Sequence, residues 1–272
     1  MPYPLNNICR SLQTHPIVWL CGILFFLMLG IYLLRFFGPE TAQEVETALC
    51  LGGFGYSLLH RPWSLLTYFW LHNNMWHLNL NLLLLIFYGR VYLSHGSTSR
   101  FFALFLGGGI FGGLGYIAGI GFLASLGVNV LRMPLSGASG SVVALMVATL
   151  LLYPRQRFRV KRCSFPLYLL SILFFILIAL VSGQNNLGGH LAHLGGVVYG
   201  VLFFLWHLIE QKEKEQKKLE LHLSPNSQET STQKALYKAT FSGYKSLSSQ
   251  EKQLLYPHST HPSTQDKDTA EL

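Results

Sequence analysis

Four polar side chains in otherwise apolar stretches could act together in one reaction: Ser139, His193, His77 and Asn81. A serine hydroxyl becomes a good nucleophile when a neighbouring base removes its proton, and a neutral imidazole titrates in the range that suits this task. His193 is the candidate base. The developing oxyanion needs hydrogen-bond donors, which the backbone N–H of Ser139 and the side chains of His77 and Asn81 can supply. The set predicts nucleophilic acyl transfer.

The distribution of acidic residues restricts this chemistry to a serine-histidine dyad. Three of the 12 Asp and Glu lie at residues 40–46, the other nine lie at residues 210–271, and none lies between Glu46 and Glu210. Carboxylate pairs, carboxylate metal sites and a Ser-His-Asp triad are therefore excluded from that stretch. The four Cys have no C-x-x-C spacing, which argues against zinc and redox sites. We expect no metal, no cofactor and no nucleic-acid partner.

Each of these residues also has a structural interpretation. Ser139 could be a helix N-cap, His77 and Asn81 could form interhelical hydrogen bonds, and His193 could line an ion or proton path. The eight glycines at residues 107–121 favour close helix packing over a nucleotide-binding loop, because no P-loop signature follows them.

The segments that carry these residues have the composition of membrane-spanning helices. Hydrophobic residues make up 50% of the chain and charged residues only 12%. A membrane-spanning helix needs about 20 apolar residues to cross about 30 Å of hydrocarbon. We predict an all-α polytopic membrane protein with six spanning segments, at residues 17–37, 72–93, 101–123, 139–153, 165–181 and 187–208.

Basic residues predict the orientation of these segments. Five Arg and Lys lie at residues 155–162 and four Lys lie at residues 212–218. Both clusters should face the cytoplasm. Six crossings then place both termini in the cytoplasm, including residues 1–14, and place the acidic residues 40–46 outside.

The predicted depths below the membrane surface place the four polar residues in one layer. The fourth segment would span only about 22 Å at about 1.5 Å per residue, so its outer end must start below the membrane surface. Non-helical backbone at that depth is tolerated where it lines a water-filled cavity or is enclosed by protein. His193 would lie about 9 Å deep, and His77 and Asn81 about 8 to 14 Å deep. Ser139 falls in the same layer.

These motifs resemble those of the rhomboid family of intramembrane serine proteases. They are, in chain order, His-x-x-x-Asn at His77 and Asn81 with His72 five residues before, Gly-x-Ser-Gly at residues 137–140, and His-x-x-Gly-x-x-x-Gly at His193, Gly196 and Gly200. The resemblance covers residues 15–209 and implies a six-helix bundle.

The resemblance also implies roles for individual residues. Ser139 would be the nucleophile and His193 the general base. His77, Asn81 and Gly137 would support the oxyanion. The small residues Gly140, Gly196 and Gly200 would allow close helix packing.

Substrates would be transmembrane proteins, reached laterally from the lipid bilayer near the second and fifth segments. They would be cut near the outer end of a helix with helix-destabilising residues. Compact loops favour a bacterial inner membrane. The oligomeric state stays open, since glycine spacings such as that of Gly108 and Gly112 suit either packing or dimerisation.

Three positions depart from the family pattern. Ser64 follows Trp63 where relatives have an arginine, Leu93 stands where many have a glutamate, and Val143 stands where an aromatic residue often stacks on the histidine. The competing interpretation is a catalytically inactive rhomboid-like protein that binds transmembrane helices.

Residues 210–272 form a different, polar region that we expect to be a cytosolic tail. Residues 234–256 contain two short helical patterns around Gly243, and the second opens with the capping-box pattern Ser248-x-x-Glu251. The end, from about Pro257, has the composition of a disordered segment.

Overall fold

The computed structural model describes residues 15–52, 59–128, 134–160, 163–182, 186–223 and 231–255. The chain divides into two compact units, Met1–Trp206 and His207–Leu272. Helices account for most of the described residues, which confirms the all-α fold class.

The first unit begins with a long apolar helix and a short polar one, and most of its other helices are apolar. In chain order its helices are α1 (His15–Phe37), α2 (Pro39–Leu49), α3 (Ser64–Thr67), a 3-10 turn (Tyr68–Trp70), α4 (Met75–Leu93), α5 (Thr98–Ser125), α6 (Ser139–Leu152), α7 (Leu167–Ser182) and α8 (Leu187–Leu223), which continues into the second unit.

Two helix boundaries differ from the predicted segments. α4 begins at Met75 rather than at residue 72, because the Asn74 side chain accepts a hydrogen bond from the His77 N–H at 2.8 Å and caps the helix. His72 therefore lies in the loop before α4. α8 continues to Leu223, since the charged residues after Leu208 extend the helix.

Apolar helices make this a multi-pass membrane protein. Among the described residues, three helices are long and apolar enough to cross a bilayer, at Pro16–Phe37, Thr98–Ser125 and Leu187–Glu220. Shorter apolar helices lie at Ser139–Leu152 and Leu167–Ile176. The count of six spanning segments stays a prediction.

A small β-hairpin connects α6 to α7, in the basic stretch that the charge pattern assigns to the cytoplasm. Strand β1 (Arg157–Val160) pairs antiparallel with β2 (Cys163–Pro166), with Arg157 opposite Pro166. The Arg157 guanidinium donates to the hydroxyl and to the carbonyl of Ser164, at 3.0 and 3.1 Å.

Helix α6 lies at the centre of the first unit. Every residue from Gly140 to Met146 is buried, as are Ala148 and Thr149. The glycine-rich α5 packs against one side of α6, and α4 packs against another. A Cβ atom on Gly108 would lie 2.6 Å from the Ala144 side chain, so the glycines of α5 allow close helix packing.

The second unit contains a compact helical pair. Its elements after α8 are α9 (Ser231–Ser242), a 3-10 turn (Tyr244–Ser246) and α10 (Ser249–Leu255). The connection turns at Gly243, whose φ of +82° favours glycine. Ser248 and Glu251 exchange the two hydrogen bonds of a capping box, at 2.6 and 3.3 Å.

Candidate active site

A cavity of about 370 Å³ brings the four predicted residues together. Ser139, His193, His77 and Asn81 all line it. The other lining residues are Asn73, Asn74, Trp76, Leu80, Leu84, Pro134, Leu135, Ser136, Val142, Asn186 and Gly189. None of the lining residues is acidic, so the site offers serine, imidazole and amide chemistry.

Ser139 is the first residue of α6. Ala138 occupies the N-cap position, so the interpretation of Ser139 as an N-cap is wrong. The first N–H groups of a helix have no carbonyl partner within that helix. The N–H groups of Ser139 and Gly140 are therefore donors at the positive end of the α6 dipole.

Each of the four residues before Ser139 is held by a hydrogen bond to a different residue. The bonds are the backbone pair between Leu135 and Leu51 (2.7 and 3.0 Å), Ser136 Oγ to Asn73 Oδ1 (2.5 Å), Gly137 N to Tyr68 O (3.1 Å) and Ala138 N to His72 Nε2 (3.4 Å). We call residues 135–138 the nucleophile turn. Four anchors fix the backbone that leads into the serine.

Only glycine suits position 137. Its φ of +125° lies in a region that other residues rarely adopt. A Cβ atom there would lie 2.5 Å from Cε1 of His77, well inside van der Waals contact. The ring of His77 therefore packs directly against the backbone of the nucleophile turn.

His77 and Asn81 lie one helical turn apart on the cavity face of α4. The Asn81 amide donates one hydrogen bond to the His77 carbonyl at 2.9 Å, within its own helix rather than across to another. An amide nitrogen carries a second proton that this bond does not use. Asn81 is 3% exposed, so any donor it offers faces the protein interior and the cavity.

His193 lies on α8 and lines the cavity, whereas His190 is not among the lining residues. The centres of the two imidazole rings are 6.1 Å apart. No direct hydrogen bond joins the Ser139 hydroxyl to the His193 imidazole among the described residues. Catalytic hydrogen bonds are often long in the absence of substrate and tighten when it binds.

Three glycines bring Ser139 and His193 to the same cavity. A Cβ on Gly196 would collide with the carbonyl oxygen of Gly140, and one on Gly200 would lie 2.8 Å from the Ala144 carbonyl oxygen. The backbones of α6 and α8 are therefore in direct contact. Gly140 follows Ser139 by one residue and Gly196 follows His193 by three.

The loop between α2 and α3 is braced without an arginine at position 64. Each of the last four carbonyls of α2 accepts a hydrogen bond: Glu46 from Cys50 N, Thr47 from the Arg61 guanidinium, Ala48 from Trp63 Nε1 and Leu49 from Thr67 Oγ1. These are the carbonyls that a helix leaves without internal partners. Arg61 therefore supports the loop, while Ser64 is fully buried with an unpartnered hydroxyl.

The other two departures from the motif pattern lie inside the bundle. Leu93 is 5% exposed and Val143 is fully buried, so both are ordinary apolar core residues here. Among the residues that the structure describes, neither side chain makes the polar or stacking contact that a glutamate or an aromatic residue would make, since both are aliphatic.

Sequence reasoning missed several residues that build the site. Tyr68 acts through its carbonyl oxygen, and Leu51 through its backbone, so their side-chain types carry no signal of these roles. Asn73 bonds Ser136 across 63 residues of sequence. Of the anchors, only His72 had a visible signal, its spacing before His77.

A cysteine near the site is unsuited to act as nucleophile. Burial raises the pKa of the Cys50 thiol to about 11. Reactivity requires the thiolate, which is scarce at neutral pH for such a group. No cluster of three or more His, Cys, Asp or Glu that could hold a metal ion occurs among the described residues.

Comparison with known proteins points to one family. A family model for the Rhomboid domain matches residues 59–209, which is more than half of the chain. The match includes Ser139, His193, His77 and Asn81 and excludes α1 and α2. No curated protein matches the chain.

Proposed function

Since the chain belongs to the rhomboid family, we propose that it is an active intramembrane serine protease that cuts transmembrane proteins with a Ser139-His193 dyad. The observation that carries this proposal is the shared cavity, which Ser139, His193, His77 and Asn81 all line and which has no acidic residue in its lining. A dyad is the catalytic unit that such a set can form.

The proposed reaction begins with attack by Ser139. Its Oγ adds to the scissile carbonyl carbon while His193 accepts the hydroxyl proton. The tetrahedral oxyanion accepts hydrogen bonds from the N–H groups at the start of α6, from the second Nδ2 proton of Asn81 and from the ring of His77. The N–H donors at the start of α6 are fixed before substrate binds, because the nucleophile turn that leads into them is anchored at all four residues.

The second half of the reaction releases the products. His193 returns its proton to the leaving amine nitrogen, and the acyl group remains esterified to Ser139. Water then loses a proton to His193 and attacks the ester carbonyl. His193 passes that proton to Ser139 Oγ as the ester bond breaks, which releases the new carboxyl terminus and restores the serine hydroxyl and the neutral imidazole. The cavity must admit that water at membrane depth, and its polar lining favours this.

The proposed substrates are membrane proteins with a helix that unwinds easily near its outer end, entering laterally between α4 and α7. The proposed orientation places the cavity towards the outer face and both termini in the cytoplasm, in a bacterial inner membrane. The charge pattern of the connections supports this orientation.

Cleavage of a labelled transmembrane substrate in proteoliposomes tests the dyad. We expect Ser139→Ala to abolish cleavage and His193→Ala to lower kcat by about 10² to 10⁴-fold. Ser141→Ala and His190→Ala are the matched controls, since each removes the same side-chain type from the same helix but not from the cavity lining. Both should retain most of the activity.

A fluorophosphonate probe adds a readout that needs no substrate. Wild type should be labelled and Ser139→Ala should not. Cleavage that survives in Ser139→Ala would rule out the serine mechanism. A folded wild type that neither labels nor cuts would instead favour the inactive rhomboid-like protein, for which the residues at positions 64, 93 and 143 are the motivating observation.

A further inference from the structure

Arg35 links three separate parts of the first unit. It lies in the last turn of α1. Its Nε donates to Glu46 Oε1 of α2 at 2.6 Å, and its Nη1 donates to the backbone carbonyl of Asn73 at 3.3 Å. Both Arg35 and Glu46 lie outside the matched region 59–209.

The contact continues from Arg35 to the nucleophile turn through Asn73. The Asn73 side chain accepts a hydrogen bond from Ser136 Oγ at 2.5 Å, and both residues line the cavity. Ser136 is three residues before Ser139. Two hydrogen bonds therefore connect the guanidinium at the end of α1 to the turn that carries the nucleophile.

The geometry suits an orienting role for Arg35 better than substrate binding. Its charge is already paired with Glu46, and its guanidinium also lies 5.4 Å from the centre of the Tyr32 ring. The side chains of Arg35 and Glu46 are 35% and 29% exposed. An ion pair this exposed contributes little to global stability. Its directed hydrogen bond to Asn73 can still fix the position of the loop before α4.

We propose that Arg35 is a positioning residue for the proposed reaction: by holding the Asn73 carbonyl, it orients Asn73 to bind Ser136 and so keeps the nucleophile turn in its reactive geometry. The proposal rests on the proposed protease function. Displacement of a catalytic group by about 1 Å can lower the rate of a reaction by about 10²-fold. Three other anchors of the turn remain in an Arg35 variant, so the expected loss is smaller.

A double-mutant cycle tests this connection in the full-length protein in proteoliposomes. Arg35→Ala and Ser136→Ala should each lower kcat by about tenfold, with KM changed by less than about twofold. Because both act through Asn73, the double variant should be no worse than about twofold below the poorer single variant. Arg35→Lys keeps one donor and the charge, and should recover part of the lost kcat.

The matched control is Lys214→Ala. It removes another exposed ion pair, Lys214 with Glu210 at 2.5 Å, on the charged extension of α8. This variant should keep wild-type kcat and KM. A similar small change in melting temperature for Lys214→Ala and Arg35→Ala would show that stability does not explain the loss.

Hydrogen exchange provides a second readout that is independent of catalysis. In Arg35→Ala, the amides of Gly137 and Ala138 should exchange about tenfold faster than in wild type, because loosening Asn73 weakens the anchors of the turn. Amides in the middle of α5 should be unchanged. If wild type has no protease activity, the proposed function fails, and this exchange measurement still decides the positioning role.

Three results would overturn the proposal. One is a double variant whose fold loss of kcat equals the product of the losses in Arg35→Ala and Ser136→Ala. Another is a loss confined to KM, which would indicate substrate binding at Arg35. The third is unchanged exchange at residues 137 and 138 in Arg35→Ala.

Discussion

Replacing Gly137 with alanine tests whether His77 is held by the nucleophile turn. The added Cβ would lie 2.5 Å from Cε1, 3.1 Å from Nε2 and 3.5 Å from Nδ1 of the His77 ring. Carbon atoms normally pack at about 3.5 to 4.0 Å. The ring or the turn must therefore move by about 1 Å, since Gly137 N is also tied to the Tyr68 carbonyl.

The expected loss has two parts. Displacement of an oxyanion-supporting group by about 1 Å lowers kcat/KM by about 10²-fold, equivalent to about 2.7 kcal/mol of transition-state stabilisation. The backbone conformation at φ +125° adds about 1 to 3 kcal/mol of folding strain when the residue is not glycine. The first part affects activity and the second affects stability.

Gly127→Ala separates these two parts. Gly127 also has a positive φ, +79°, but no atom lies within 4 Å of the position of its Cβ. Its replacement strains the backbone without touching the site. We expect Gly127→Ala to lose some thermal stability but to keep kcat/KM within about twofold of wild type.

The assay is proteoliposome cleavage together with thermal unfolding of both variants. A second cycle uses His77→Ala as background, where the added Cβ no longer meets the ring. There Gly137→Ala should destabilise the protein less than it does in wild type. Equal activity losses in Gly137→Ala and Gly127→Ala would refute the reasoning, as would wild-type cleavage by Gly137→Ala.

Two further predictions concern the loop between α2 and α3 and the second unit. Arg61→Ala removes the donor to the Thr47 carbonyl and should lower the free energy of unfolding by about 1 kcal/mol. Arg61→Lys should lower it by less. Unchanged thermal unfolding of both variants would exclude this hydrogen bond as a support of the loop. The Ser248 N–H and Lys238 lower the pKa of Glu251 to about 2, so the stability that its carboxylate adds is present above about pH 4.5 and is lost as the pH falls towards 2. An NMR titration of the Glu251 carboxyl should give that low midpoint, and a midpoint near 4.5 would contradict the capping contacts.

The fold class and the family were predictable from the sequence because their signals are local. The apolar runs are long enough to cross a membrane, and no Asp or Glu lies between Glu46 and Glu210. Both features indicate helices that span the lipid bilayer. The spacing of His77 with Asn81, and of His193 with Gly196 and Gly200, marks helix faces. The Rhomboid domain match and the helical structure confirm these predictions.

Helix starts were predicted less well, because capping depends on one side chain. The capping bond of Asn74 moves the start of α4 to Met75 and leaves His72 in a loop. There His72 can accept from the Ala138 N–H. The start of α6 at Ser139 agrees with the predicted segment, and Ala138 takes its N-cap.

The sequence alone determined which residues could form a dyad in this protein, because the serine, histidine and glycine motifs agree as a set, although each residue by itself also has a structural interpretation. Only the tertiary structure decided what holds them. The anchors of the nucleophile turn include the carbonyl of Tyr68 and the backbone of Leu51, groups that every residue type carries. Such contacts cannot be predicted from the amino-acid sequence, since they depend on which distant backbone atoms the packed helices bring together.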